Sequence, residues 1–227
     1  MDNNLFLEYG FSLSENQLAK LDLYSDLLIQ YNEKFNLTAI TNKEDIYVKH
    51  FLDCLYLCKY LDSSKSLLDI GSGAGFPGVI IKIFYPEMNI TLLEPNNKKV
   101  MFLNTIKKQL DLSKLEIINQ RSEDYVKDNR GKYDLVTARA VAPLNILLEL
   151  AIPLLKVNGT FIAMKGPKGN QELQQSQNAL KLLSCVANDT IQYSIEDNTR
   201  QLLFFKKLAA TQEKYPRNYS QIKKKPL

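Results

Sequence analysis

No apolar run in this 227-residue chain approaches the ~20 residues of a membrane span. The Met1-Asp-Asn-Asn4 start has neither the basic opening nor the long apolar core of a secretory signal. Three cysteines give no disulfide framework, so a reducing cytoplasm is the expected setting. There is one histidine, His50, and no metal site is expected. Charge of either sign is not in large excess: the net charge is +4, with 24% charged and 45% hydrophobic residues. Those proportions suit a soluble globular chain with one sizeable core.

What the chain does have is a glycine-rich turn, Gly71-Ser-Gly-Ala-Gly-Phe-Pro-Gly78. The apolar run Leu67–Ile70 enters it and Val79–Phe84 leaves it. A strand that runs through glycines into a helix leaves backbone N–H groups uncovered at the helix start. Missing Cβ atoms let a ligand approach that backbone.

Upstream, the first ~60 residues read as helical. Ser14-Glu-Asn-Gln17 is a capping-box pattern, and Leu18, Leu21, Leu28 and Phe35 follow at roughly helical spacing. A polar turn ends at Thr38, and a second helix is expected over about 42–60. From Leu67 short strands alternate with helices. Strands are expected at 67–70, 89–94, 115–119, 133–138 and 159–164, and helices at about 77–84, 96–109, 122–128, 143–155 and 170–184. That alternation implies a doubly wound parallel α/β sheet. Two β-rich runs, 190–194 and 201–205, have six residues between them, too few for a crossover helix. They must form an antiparallel hairpin. The expected organisation is a helical extension over 1–62, a core over 63–213 and a basic tail over 214–227.

A five-strand parallel sheet closed by a hairpin is the Rossmann-like outline of class I methyltransferases that use S-adenosylmethionine (SAM). The glycine spacing agrees. A dinucleotide turn needs G-x-G-x-x-G, but Phe76 stands at the third glycine position. The actual pattern is G-x-G-x-G through Gly71, Gly73 and Gly75, preceded by Asp69. Glu94 ends the second strand 23 residues after Gly71, where a carboxylate can accept ribose hydroxyls. Ser122-Glu123 follows the third strand, where adenine should lie; an N-cap serine with a first-turn acid is the plainer reading.

The carboxyl ends of strands four and five should flank the reacting methyl. Strand four ends Thr137-Ala-Arg-Ala-Val-Ala-Pro143, without the Asp/Asn-Pro-Pro-aromatic run of amino-group methyltransferases. Cys54, Cys58 and Cys185 lie away from these ends, so the nucleophile of cytosine-C5 enzymes is missing. Cations stand there instead: Arg121, Arg139, Lys165 and Lys168, read as exposed charges around an anionic ligand, either RNA phosphate, the SAM carboxylate or both. His50 reads either as a base or as a structural hydrogen-bonding residue. Residues 214–227 hold five cations and no acid, while the rest of the chain is near neutral. Such a tail, with Tyr215 and Tyr219, suits a phosphate backbone with nearby bases; a solvated end explains it equally well.

Taken together, several runs resemble the small-subunit rRNA guanine-N7 methyltransferases, first named as glucose-inhibited division protein B. They are Tyr31-Asn-Glu-Lys-Phe-Asn-Leu-Thr38, Lys49-His-Phe-Leu-Asp53, Asp69–Gly78, Gln120-Arg-Ser-Glu123, Thr137-Ala-Arg-Ala140, Met164-Lys-Gly166 and the final Lys-Lys-Lys-Pro-Leu227. The resemblance covers nearly the whole chain. It implies N7 methylation of one guanosine of 16S rRNA, on RNA or the small ribosomal subunit, in bacterial cytoplasm. A monomer is the expected state. By motif it places Gly71, Phe76, Ser122, Glu123 and Arg139 on SAM, and Asn36, His50, Arg121 and Lys165 on the substrate side. Glu94 stands where relatives often have Asp. Pro216-Arg-Asn-Tyr-Ser220 stands where a Pro-Arg-Arg-Pro-Gly run is frequent. A SAM enzyme for small molecules would leave the basic tail idle. An RNA-binding module without chemistry would not need the intact glycine loop, and an NAD oxidoreductase conflicts with Phe76 and the hairpin.

Overall fold

The computed structural model describes residues 4–227. The chain begins with α1 (Asn4–Glu8), α2 (Glu15–Phe35), α3 (Lys43–Ile46), a π-helical stretch (Tyr47–Leu52) and α4 (Asp53–Cys58). Then come β1 (Leu67–Ile70), α5 (Gly78–Phe84), β2 (Ile90–Leu93), α6 (Asn97–Gln109), β3 (Leu115–Ile118), α7 (Ser122–Asn129) and β4 (Tyr133–Arg139). The chain continues through α8 (Leu144–Ala151), a 3-10 turn (Ile152–Leu154), β5 (Leu155–Lys165), α9 (Gly169–Gln175) and α10 (Gln177–Leu182). It ends in β6 (Cys185–Ile195), β7 (Asn198–Lys207) and α11 (Tyr219–Lys224). The strand order is β3-β2-β1-β4-β5-β7-β6; β2 pairs parallel with β3, and β4 with both β1 and β5, while β7 is antiparallel to both β5 and β6. This is the class I SAM-methyltransferase sheet expected from the alternation and the hairpin. The hairpin turns on Glu196 and Asp197, and its strands outrun the expected ones at both ends.

Two compact units divide the chain: residues 1–64 with 72–119, and residues 65–71 with 120–227. In the first, the Ser14 capping box is formed. The Ser14 hydroxyl accepts the Gln17 N–H, and the Gln17 side chain accepts the Ser14 N–H at 2.9 Å. Leu21, Tyr24 and Leu28 are the buried stripe of α2. The helix stops at Asn36, whose φ of 49° takes the backbone left-handed, and the Asn32 side chain brackets the N–H and carbonyl of Thr38 at 2.9 Å each. The expected second helix is present but is not uniform, because Tyr47–Leu52 widens into π geometry. The wider turn lets two successive rings reach one aromatic cluster: His50 lies 4.5 Å from Phe76 and Phe51 lies 5.4 Å from Tyr24.

In the second unit the register of β1 on β4 pairs Asp69 with Thr137, and that of β4 on β5 pairs Arg139 with Met164. Asp134 of β4 ties in the start of β1 by accepting the hydroxyl (2.6 Å) and the N–H (3.0 Å) of Ser66. The single helix expected over 170–184 is instead α9 and α10. They break at Ser176, whose hydroxyl donates back to the Glu172 carbonyl at 2.7 Å.

Candidate functional site

In the first unit the glycine loop is laced to the end of β2. Gly73 donates its N–H to the Glu94 carboxylate at 2.8 Å, Asn96 donates to the other Glu94 oxygen at 2.8 Å, and Ser72 donates to the Leu93 carbonyl. Glu94 is buried, yet each of its oxygens has taken only one of these backbone donors, and a carboxylate oxygen has room for a second. The residues therefore fit a ligand that brings hydroxyl donors. Gly75 has a different reason to be glycine than the one read from sequence. A Cβ there would stand 2.6 Å from a Val79 methyl and 2.7 Å from the Tyr24 hydroxyl, so the protein's own side chains fill that space. The Tyr24 hydroxyl donates to the Ala74 carbonyl at 2.5 Å.

Phe76 carries the next layer. The His50 ring stacks on it, and His50 Nε2 lies 2.9 Å from Thr38 Oγ1, which also accepts the Ile40 N–H. Asn36 is exposed two residues earlier, on the left-handed turn that ends α2. Thus Asn36, His50, Phe76, Gly73 and Glu94 belong to one unit, with His50 and Phe76 in direct contact.

In the second unit, Gly71 has φ of 65°, and a Cβ there would lie 2.6 Å from a Val141 methyl. Arg139 and Lys165 end adjacent parallel strands, as expected. Lys165 is not the exposed cation read from sequence. Its side chain is 9% exposed and its Nζ donates to Glu172 and to the Ala142 carbonyl, at 2.8 Å each. Glu172 also accepts the Leu144 N–H at 2.7 Å, so the pair clamps the β4–α8 connection. Arg121 is exposed, with its guanidinium 5.7 Å from the centre of the Tyr219 ring. Ser122 is the first residue of α7 and not its N-cap, which is Arg121. The buried Ser122 hydroxyl donates to the Leu150 carbonyl at 2.9 Å, while Glu123 is a first-turn acid as read. Lys168 immediately precedes α9.

No activated thiol competes with this arrangement. All three cysteines are buried. Burial pushes Cys185 up to about 12 and raises Cys58 well above the ordinary thiol value. Among the described residues, no group of three or more His, Cys, Asp or Glu side chains could hold a metal ion. No helix of the described residues is long and apolar enough to cross a membrane.

A family model described as "GidB: rRNA small subunit methyltransferase G" matches residues 17–203. This chain belongs to the rRNA small subunit methyltransferase G family. It is 43% identical to a protein of that description from Halalkalibacterium halodurans, over 97% of this chain and 95% of the relative. It is also 43% identical to one from Mycoplasma capricolum subsp. capricolum, over 97% and 96% respectively. Among solved structures, M. jannaschii TYW2 in complex with AdoMet superimposes with a TM-score of 0.55 at 11% identity, covering 88% of this chain and 80% of that one. At that identity the likeness speaks for the fold.

Four residues of this chain were not singled out by sequence. Tyr24 and Thr38 looked like core and turn residues. Glu172 lies seven positions past Lys165 and signalled nothing by itself. Glu149 did carry a signal: it is the one charge in the apolar helix Leu144–Ala151, and an acid there demands a cation.

Proposed function

We infer that the chain transfers a methyl group from SAM to N7 of a guanosine in 16S rRNA, in the bacterial cytoplasm. The observation that carries this is the family match across residues 17–203, with relatives aligned over nearly their whole length. The Glu94–Gly73 arrangement supports the cofactor part. SAM supplies an electrophilic methyl on a sulfonium sulfur. In this reading Glu94 accepts ribose hydroxyls on the lone pairs that Gly73 and Asn96 leave open, and Gly71, Gly73, Gly75 and Phe76 form the wall of the cofactor. Ser122 and Glu123 serve the adenine, with the Glu123 side chain and the α7 backbone as the polar groups, since the Ser122 hydroxyl is already engaged.

Guanine N7 has an in-plane lone pair and no proton, so no base is needed to make it a nucleophile. What the protein must supply is alignment of attacking atom, methyl and sulfur, at ~3–3.5 Å between reacting atoms. His50, held by Thr38 and by the face of Phe76, is a positioning residue in this scheme. Asn36, Arg121 and Arg139 meet the RNA or the SAM carboxylate. Lys165 acts indirectly, by fixing the connection that follows Arg139.

Labelled SAM offered with three substrates tests the reading: naked total RNA, isolated small subunits, and small subunits from cells lacking this protein. Label should enter only undermethylated 16S rRNA, at a guanine whose N7 methylation makes the strand cleavable after reduction. Label on an exocyclic amine or a ring carbon overturns the assignment.

A further inference from the structure

Residues 214–227 carry five cations and no acid, and the structure does not leave them as a loose end. Glu149 of α8 is 0% exposed, and Arg217 meets it three times. The Arg217 N–H and Nε donate to Glu149 Oε1 at 2.9 and 2.8 Å, and Nη2 donates to Oε2 at 2.6 Å. One turn further on, Ile222 is fully buried against Ile146 and Leu150 of the same helix. Arg130 of the same unit donates to the carbonyl of Tyr215, where the segment arrives. The segment is therefore clamped by a buried ion pair and an apolar contact, both on α8.

This clamp decides which cations remain available. Arg217 is neutralised by Glu149. Lys223, Lys224 and Lys225 are exposed, and among the described residues none of them has an acidic partner. Lys224 and Lys225 line a cleft of about 450 Å³ together with Arg217 and Gln221. The same short helix places Tyr219 against Arg121, a residue already assigned to the substrate side. Unbalanced ammonium groups beside an amide donor, in a concavity on the helix that also carries Tyr219 to Arg121, match a polyanion whose charges are spread along a chain. A compact anion would call for convergent, desolvated donors instead.

We propose that the cleft of Arg217, Gln221, Lys224 and Lys225 is a docking site for the phosphate backbone of the RNA substrate, preset by the Glu149–Arg217 clamp. The proposal rests on the rRNA reading above, and the test separates the two.

The full chain is bound to undermethylated small subunits across about 50–200 mM salt. In Lys224→Ala/Lys225→Ala the slope of log K against log salt should flatten by roughly 1.4–1.8, two phosphate contacts' worth, with SAM affinity unchanged. Ile222→Ser keeps every charge but releases α11, and should weaken binding as well. An unchanged slope in the double variant overturns the site, and wild-type binding by Ile222→Ser overturns the clamp. Binding to phosphatidylglycerol vesicles is measured in parallel. Loss there with an unchanged RNA slope would make the cleft a membrane contact and also overturn the proposal. If the wild type methylates 16S rRNA while the variants bind normally, only this inference fails. If the wild type transfers no methyl to any RNA, the underlying function is wrong.

Discussion

Replacing Glu94 with Gln changes almost nothing in volume and removes one acceptor. The buried carboxylate now serves two N–H groups, Gly73 on one oxygen and Asn96 on the other, at 2.8 Å each. An amide has a single oxygen, so in either orientation one N–H faces an NH2 group. A hydrogen bond to a charged partner is worth ~1.5–3 kcal/mol. The fold should lose about that much, which for a chain of this size lowers Tm by roughly 3–12 °C. If ribose hydroxyls use the same carboxylate, SAM binding loses a further ~1.5–3 kcal/mol, so Kd should rise about 10–150-fold. Calorimetry with SAM and with its 2′-deoxy counterpart separates the two effects. The deoxy compound should bind wild type at least tenfold more weakly than SAM, and the two should bind Glu94→Gln alike. A variant that melts early but binds SAM with wild-type affinity would refute the ribose role, leaving Glu94 as a fastener of the loop.

Three further outcomes are expected. His50→Gln should slow single-turnover transfer by misplacing the substrate, without adding or removing a pH step near the ordinary histidine value of ~6.5; a tenfold rise per pH unit in wild type that vanishes in the variant would restore a base. Lys165→Ala should destabilise the fold by about 1.5–3 kcal/mol, because Glu172 keeps only the Leu144 N–H and the β4–α8 connection is freed from β5; a wild-type melting curve would show that the clamp contributes nothing to stability. Burial pushes Asp134 up, but hydrogen bonds from Lys156 and Ser66 outweigh it and hold the carboxyl down at about 2. That stability is fully present above pH ~4 and is lost as pH falls through about 2. Urea melts should show wild type losing about 1–2 kcal/mol more than Asp134→Asn over that range. Parallel curves would mean Asp134 is not held down.

The architecture was legible because its signals are local. Leu67–Ile70 is a bounded apolar run, and six residues between 194 and 201 cannot hold a helix, so strand and hairpin follow from length alone. The glycine loop and Glu94 were legible as candidates because each stands at a strand end, but the Gly73 N–H bond to Glu94 was not. Partners set by tertiary packing were not legible. Lys165 was correctly placed at a strand end and wrongly read as exposed, since nothing in Lys165-Gly-Pro-Lys168 says that Glu172 returns to meet it. The tail kept two readings because Arg217 finds its acid 68 positions away, on a helix that otherwise looks like plain core. The π turn at Tyr47–Leu52, whose His50 and Phe51 rings meet Phe76 and Tyr24, has no mark in the sequence, because those rings come from distant segments.

The Tyr24 hydroxyl on the Ala74 carbonyl has a consequence for how a ligand is received. With Gly73 held by Glu94, Gly75 and Phe76 both donating to the Ser72 carbonyl, and Val79 and Tyr24 filling the flank of Gly75, residues 72–76 have their conformation before anything binds. Ordering a free backbone opposes association by ~1–2 kcal/mol per residue. For these five residues that entropy, on the order of 5–10 kcal/mol, is lost during folding and is not subtracted from affinity. A loop rich in glycine, the residue with most freedom to lose, is thereby a pre-organised surface, and its rigidity is supplied by a tyrosine about fifty positions upstream.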